Sequence, residues 1–202
     1  MQALAPQQVQ QLVRYANKHR LALVPSGGRT GLSGAAVACQ GEIVVSLERM
    51  NWILNFDPTD RSVTYQAGVV TEAVQNFARD HGLYYPVDFA SRGSSQIGGN
   101  IATNAGGIKV IRYGLTRDWV IGLKVVTGSG DLLDLNRGLT KNASGYDLRH
   151  LFIGSEGTLG IIVEATLRLT RPLREPSVMI LGASDLDSVM SLYHILLNKL
   201  EL

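Results

Sequence analysis

Apolar residues near the start of the chain recur with the spacing of a helix. After Pro6, the residues Val9, Leu12, Val13 and Ala16 follow the i, i+3, i+4, i+7 pattern that places side chains on one helical face. Proline is tolerated at the start of a helix because the first N–H has no partner there. The pattern therefore predicts an amphipathic helix that begins at Pro6.

Short apolar runs follow this helix. Residues 21–25 (LALVP), 42–47 (EIVVSL) and 62–68 (SVTYQAG) have the length and composition of strands, and the turn signal DPTD precedes the third. Thr71 is predicted to cap the next helix, and Gly82 to end it, because glycine enters the left-handed region without a steric penalty.

Strands in the second half are linked as hairpins. Residues 119–127 and 131–136 flank GSG, which predicts a hairpin. Residues 161–170 (IIVEATLRLT) alternate, which predicts a half-buried strand. Its apolar face carries Ile161, Val163, Ala165, Leu167 and Leu169, and its polar face Glu164, Thr166 and Arg168. Helix-linked and hairpin-linked strands together favour an α+β fold over a doubly wound sheet.

A domain boundary is predicted at residues 170–176 (TRPLREP), where two prolines interrupt both periodicities. We therefore assign residues 1–171 to one domain and 172–202 to another. The second stretch predicts one strand, 178–182 (VMILG), and one helix that Ser184 and Asp187 would cap. The helix has an apolar stripe that one strand cannot bury, so we expect the start of a further domain or a partner. The stripe consists of Leu186, Val189, Met190, Tyr193, Leu197 and Leu200.

Charge and cysteine content narrow the choice of partners. A net charge of +2 over 202 residues, without a run of like charges, argues against nucleic acid as a partner. No stretch is long and apolar enough for a transmembrane helix, and the only cysteine, Cys39, allows no intrachain disulfide. We expect a cytoplasmic protein. The four histidines are far apart in the sequence and form no metal-binding pattern, so no metal site is predicted in this chain.

Glycines cluster in two places, at residues 25–34 (PSGGRTGLSG) and 93–107 (GSSQIGGNIATNAGG). Glycine lets main-chain N–H groups approach an anion closely, so the two loops could hold one pyrophosphate between them. Neither loop has the GxGxxG or P-loop spacing, which disfavours a Rossmann or nucleoside-triphosphate site. Each cluster taken alone could also be a tight surface turn. Residues 155–162 (SEGTLGII) suit contacts to a flat ring, or a turn that feeds a strand.

Three motifs together resemble a known family: PSGGRTGLSGA, GSSQIGGNIATNAGGIKVIRYG and LFIGSEGTLGIIVEATLRL. They resemble, in this order, the FAD-binding domain of the vanillyl-alcohol oxidase and para-cresol methylhydroxylase (PCMH) superfamily. The similarity runs from about Pro6 to about Thr170. It is strongest to the D-2-hydroxyacid dehydrogenase branch, which contains D-2-hydroxyglutarate dehydrogenase, D-lactate dehydrogenase and the glycolate oxidase flavin subunit.

The resemblance implies an α+β, PCMH-type domain of two subdomains with FAD between them. It implies that residues 26–31 bind the pyrophosphate, that residues 90–96 and 98–104 line its other side, and that residues 156–162 contact the ribose and adenine. The implied cofactor-binding residues are Pro25, Ser26, Gly27, Gly28, Arg29, Thr30, Gly31, Leu32, Pro86, Ala90, Gly93, Ser94, Ser95, Gly98, Gly99, Asn100, Ala102, Thr103, Asn104, Glu156, Gly157, Gly160, Ile161 and Ile162. Covalently flavinylated members often carry histidine directly after the paired glycines, where this chain has Arg29, so we expect non-covalent FAD.

The same resemblance implies that family elements before Pro6 and a cap domain after Pro172 are not in these residues. We therefore expect a fragment that binds FAD without turnover, and we name no catalytic residue. Any divalent metal would lie in the cap domain. The implied reaction is oxidation of a D-2-hydroxy acid, with D-2-hydroxyglutarate favoured over D-lactate and glycolate. The electron acceptor, a flavoprotein, cytochrome or quinone, and a homodimer are left open. The alternative is a non-catalytic FAD-binding subunit of a multi-subunit oxidoreductase.

Overall fold

The computed structural model describes residues 2, 4–135, 142–173 and 177–199. It divides into two compact units, residues 1–171 and 172–202. The α-helices in the described part of the first unit are α1 (Pro6–His19), α2 (Thr71–Asp80), α3 (Ile97–Ala102), α4 (Val110–Tyr113) and α5 (Arg149–Phe152), and a 3-10 helix spans Thr116–Trp119. Its strands are β1 (Leu23–Ser26), β2 (Ile43–Ser46), β3 (Ile53–Asp57), β4 (Ser62–Gln66), β5 (Val120–Thr127), β6 (Leu132–Asp134) and β7 (Gly160–Arg168). The described part of the second unit contains α6 (Leu186–Lys199).

Two sheets organise the described part of the first unit. Strands β1 and β2 pair in parallel, and the five-stranded sheet has the order β3-β4-β7-β5-β6 with antiparallel pairing throughout. The predicted α+β class and the hairpin of β5 and β6 are confirmed. Asn136, at the predicted end of that hairpin, lies outside the described residues.

Helix α1 forms as its periodicity predicts, and Pro6, Val9, Leu12, Val13 and Ala16 are all buried. Its polar side is tied to the β5–β6 turn, because the Gln10 and Asn17 side chains donate to the Gly130 and Gly128 carbonyls at 3.0 and 2.8 Å. The helix thereby joins the large sheet to the rest of the core.

Strand β7 is not half-buried, so that prediction was wrong. Glu164 and Thr166 on its polar face are only 9% and 6% exposed. The strand lies at the centre of the sheet, and side chains from both neighbouring strands cover that face. Glu164 pairs with Lys124 of β5 at 2.8 Å, and Thr166 bonds to Thr64 of β4 at 3.0 Å.

The two predicted helix caps also differ from the structure. Val70, not Thr71, precedes α2, and the Thr71 hydroxyl points to Ser95 instead. At α6, Asp185 rather than Ser184 accepts the hydrogen bond from the main-chain N–H of Ser188, at 2.8 Å. Gly82 has a φ of +67° after α2, as predicted for a residue that ends the helix.

The strand predicted at residues 178–182 does not form. These residues are not paired, and Val178 and Ile180 are more than 90% exposed. A strand needs a neighbour for its N–H and C=O groups, and the described residues of this unit contain no other strand. The apolar stripe of α6 is likewise exposed at Leu186, Val189, Met190, Tyr193 and Leu197, and Leu200 of the predicted stripe lies outside the described residues.

No helix in the described ranges has the length and apolar character needed to cross a membrane.

Candidate cofactor-binding site

The two glycine-rich loops lie against each other. A methyl group built on Gly28 would be 2.2 Å from the Ser94 carbonyl oxygen, and one built on Gly27 would be 3.6 Å from the Gly99 Cα atom. Any side chain at Gly28 would therefore separate the loops. Among the glycines of the first loop, Gly28 is the one that this close main-chain approach requires, because a methyl group on Gly31 or Gly34 would meet no atom within 4 Å.

A third segment closes the same site. The N–H of Glu156 donates to the Ala102 carbonyl at 2.8 Å, and the N–H of Gly154 donates to Ile101 at 3.0 Å. On the other side, a methyl group on Gly157 would lie 3.1 Å from the Pro25 ring. The three motifs named from the sequence thus meet around one space.

That space is an open cleft with a cavity volume of about 240 Å³, contained within residues 1–171. Most of the residues predicted to bind the cofactor line it. They are Pro25, Ser26, Gly27, Gly28, Arg29, Thr30, Gly31, Gly98, Gly99, Asn100, Ala102, Thr103, Glu156, Gly157, Gly160, Ile161 and Ile162.

Seven other predicted residues are outside this lining: Leu32, Pro86, Ala90, Gly93, Ser94, Ser95 and Asn104. Leu32 is fully exposed and Pro86 is buried. Ser95 and Asn104 support the loop from behind, because Ser95 bonds to Thr71 and the Asn104 side chain accepts the N–H of Arg117 at 3.0 Å.

Several lining residues were not singled out from the sequence: Ser33, Ala35, Ala36, Leu47, Ala67, Phe89 and Ala105. Leu47 and Ala67 directly follow β2 and β4, so a strand end near a glycine loop was the available signal. Ser91 and Gln96, which also line the cleft, lie inside the predicted range 90–96.

Main-chain donors dominate the first loop. Within the described part of the chain, none of the N–H groups of residues 27–31 donates a hydrogen bond to a protein atom. Arg29 also has a φ of +55°, which turns successive peptide groups in a way uncommon outside glycine. Successive unpaired N–H groups of this kind form a concave anion site.

The second loop is held by a buried polar network. Asn100 donates to the Thr71 hydroxyl at 2.6 Å, and that hydroxyl is 2.7 Å from the Ser95 hydroxyl. All three side chains are at most 5% exposed. The N–H groups of Ile97 and Gly98 donate to Val69 and Ala67, which fixes the start of α3 to the chain after β4.

The polar inventory of the cleft fits FAD. Arg29 and Glu156 carry the charges among the described residues that line it. The Ser26 hydroxyl and the Gln96 Oε1 atom are buried in the lining and have no hydrogen-bond partner in the described chain. Buried polar atoms of this kind usually have a partner, and a ligand rich in hydroxyls and phosphates supplies one.

The comparisons with known proteins agree with this geometry. Residues 2–136 match the family described as FAD binding domain, and the chain belongs to that family. The resemblance inferred from the three motifs is confirmed.

Among curated proteins, the chain is similar to two bacterial D-2-hydroxyglutarate dehydrogenases. It is 65% identical to that of Stutzerimonas stutzeri, over 97% of this chain and 42% of the relative. It is also 65% identical to that of Xanthomonas citri pv. viticola, over 93% of this chain and 40% of the relative. The chain therefore spans about two fifths of the length of these relatives.

A solved structure of alkyldihydroxyacetonephosphate synthase superposes with a TM-score of 0.72 and 29% identity. The match covers 85% of this chain and 31% of that chain. The similarity supports the PCMH-type architecture expected from the sequence.

Proposed function

We propose that the full-length protein containing this chain is an FAD-dependent dehydrogenase that oxidises a D-2-hydroxy acid to the 2-oxo acid. The observation that carries the proposal is the contact of Gly27 and Gly28 with the second glycine loop around one cleft. The 65% identity to D-2-hydroxyglutarate dehydrogenases supports D-2-hydroxyglutarate as the substrate, ahead of D-lactate and glycolate.

The residues of this chain hold the cofactor in place. The free N–H groups of residues 27–31 bind the diphosphate, and the Arg29 guanidinium balances part of its charge. Ser26 and Gln96 form hydrogen bonds with hydroxyl or amide groups of the ligand, and the Glu156 carboxylate accepts a hydrogen bond from a ribose hydroxyl. Ile161 and Ile162 provide an apolar surface for the adenine.

When bound, FAD would accept the hydride that leaves the alpha carbon of the substrate. The hydroxyl proton leaves to a base, for which no residue of this chain is proposed. The contribution of residues 1–171 is positioning of the cofactor, which supports transfer by fixing one of the two reactants.

Several finer assignments belong to the same proposal. FAD is bound non-covalently, and residues 172–202 begin a cap domain. By the same family resemblance, any divalent metal would be bound by the cap domain. A flavoprotein, cytochrome or quinone accepts the electrons, and the protein is located in the cytoplasm.

The test is the visible spectrum of the FAD-loaded full-length protein, recorded without oxygen before and after addition of a hydroxy acid. We expect D-2-hydroxyglutarate to bleach the flavin absorption, with L-2-hydroxyglutarate as the matched control. Stronger bleaching by D-lactate or glycolate would change the substrate assignment. If none of the three acids bleaches the flavin, the dehydrogenase proposal fails and the protein is better described as an FAD-binding subunit of a larger oxidoreductase.

A further inference from the structure

Asp88 is a nearly buried carboxylate just outside the cleft, directly before the lining residue Phe89. Its side chain is 12% exposed. One oxygen, Oδ1, accepts from Arg92 Nη1 and from Gln75 Nε2, both at 3.3 Å. The other, Oδ2, accepts from Lys109 Nζ at 3.1 Å. One oxygen thus binds Arg92, which precedes the second glycine loop in the sequence, and the other binds Lys109, which follows that loop.

The main chain of Asp88 makes the same connection. Its carbonyl oxygen accepts the N–H of Ile108 at 3.0 Å. A methyl group built on Gly107 would lie 2.4 Å from that oxygen, and Gly107 has a φ of +134°. The chain therefore leaves Asp88 and returns to direct contact with it at residues 107–109.

The segment between these contacts forms one wall of the cleft. Its lining residues are Phe89, Ser91, Gln96, Gly98, Gly99, Asn100, Ala102, Thr103 and Ala105. Asp88 connects the start of this segment to the residues that directly follow it, although Asp88 itself does not line the cleft.

Lys109 is held by more than the carboxylate. Its Nζ atom is also 2.6 Å from the Tyr84 hydroxyl. The main chain of Tyr84 exchanges two hydrogen bonds with Thr170, at 2.8 and 2.9 Å. The exit of the loop is therefore anchored to the chain just after β7, the central strand of the large sheet.

We propose that Asp88 is a positioning residue that closes the second glycine loop and pre-forms the cleft for FAD. The inference rests on the proposed FAD site and assigns a role to a residue that does not touch it. A loop closed before binding loses less conformational entropy when the ligand orders it, so its closure strengthens binding.

The carboxylate is ionised in this setting. Burial alone would favour the neutral acid, but hydrogen bonds from Lys109, Gln75 and Arg92 outweigh it and lower the pKa of Asp88. Asparagine keeps the size of the side chain and removes the charge that holds the two cations. Asp88→Asn is therefore the variant that isolates the closure.

The experiment measures the dissociation constant of FAD for the full-length apoprotein by fluorescence titration, together with the unfolding midpoint of the same apoprotein. We expect D88N to raise the dissociation constant at least tenfold and to reduce the visible circular dichroism of bound FAD. K109M and R92M each release one end, so each should raise the constant less. When D88N is combined with K109M and R92M, it should cause little further increase in the dissociation constant.

Glu164→Gln is the matched control, since Glu164 is an ion-paired carboxylate with a side chain 11% exposed and outside the cleft. It should bind FAD within twofold of the wild type. A role of Asp88 in folding alone would lower the apoprotein midpoint and leave the dissociation constant of the folded protein unchanged, which would overturn the inference. If D88N does not fold, the K109M variant provides the test. An FAD dissociation constant of K109M equal to that of the wild type would overturn the inference. If the wild-type apoprotein does not bind FAD, the proposed function is overturned as well.

Discussion

Gly28 lies so close to Ser94 that a methyl group on Gly28 would be 2.2 Å from the Ser94 carbonyl oxygen and 2.9 Å from the Ser95 Cα atom. Both obstacles are main-chain atoms, which cannot move as the end of a flexible side chain can. The contact fixes the distance between the two glycine loops and hence the width of the cleft.

Gly28→Ala is therefore expected to destabilise the apoprotein by about 1–3 kcal/mol, the usual cost of overpacking, and to weaken FAD binding. Urea unfolding and FAD titration of the full-length protein measure the two effects. Gly99→Ala is the informative comparison, because a methyl group there meets no atom within 4 Å although Gly99 lines the cleft. It should change apoprotein stability by no more than about 1 kcal/mol and still weaken FAD binding. Unchanged stability in Gly28→Ala would contradict the loop contact.

Thr71→Val tests the polar network behind the second loop. The substitution keeps the shape of the side chain and leaves the Asn100 amide without its 2.6 Å acceptor. An unsatisfied buried donor costs about 1–3 kcal/mol in unfolding free energy. Thr59→Val, in an exposed turn, should have little effect in the same denaturant titration. Equal stability of the two variants would show that the network does not stabilise the fold.

Asp147 predicts a dependence of stability on pH. Hydrogen bonds from Arg149, opposed by partial burial, lower the pKa of Asp147 to about 2. The unfolded value is about 3.9, so the stabilisation is complete above pH about 4 and is lost as the pH falls towards the folded pKa. Asp147→Asn should therefore be less stable than the wild type at pH 7, with the difference shrinking below pH about 4. The effect is small because the side chain is 41% exposed and solvent screens the pair. If the difference in unfolding free energy between the wild type and Asp147→Asn grows as the pH falls, the lowered pKa of Asp147 is contradicted.

The flavin is expected to be released by acid. Arg29 follows the paired glycines, and its guanidinium is not a nucleophile that tethers the ring. Acid precipitation of the FAD-loaded full-length protein should leave a yellow supernatant and a colourless pellet. A yellow pellet after thorough washing would show a covalent bond.

Features with a local cause were predictable from the sequence. Helix α1 follows from the spacing of Val9, Leu12, Val13 and Ala16, and the β5–β6 hairpin from the GSG turn between two apolar runs. The two glycine-rich loops were singled out because such glycine clusters are unusual in an ordered domain, and the third motif, residues 151–169, was identified by its resemblance to the family.

Features that depend on neighbours were not predictable in the same way. Alternation in β7 suggested an exposed polar face, but its central place in the sheet buries Glu164. The apolar run at 178–182 looked like a strand, yet the described part of its unit provides no pairing partner. Strand β3 was missed because Ile53 and Leu54 are exposed on an edge strand without clear alternation. Asp88 gave no signal because a single carboxylate has no periodicity, and its partners are distant in sequence.

A crystal structure of the full-length protein with FAD bound tests most directly whether the two glycine loops hold the diphosphate. We expect the diphosphate between residues 27–31 and the start of α3, within hydrogen-bonding distance of the main-chain N–H groups of the first loop. A diphosphate located elsewhere, with the first loop making no contact to it, would contradict the proposed FAD site.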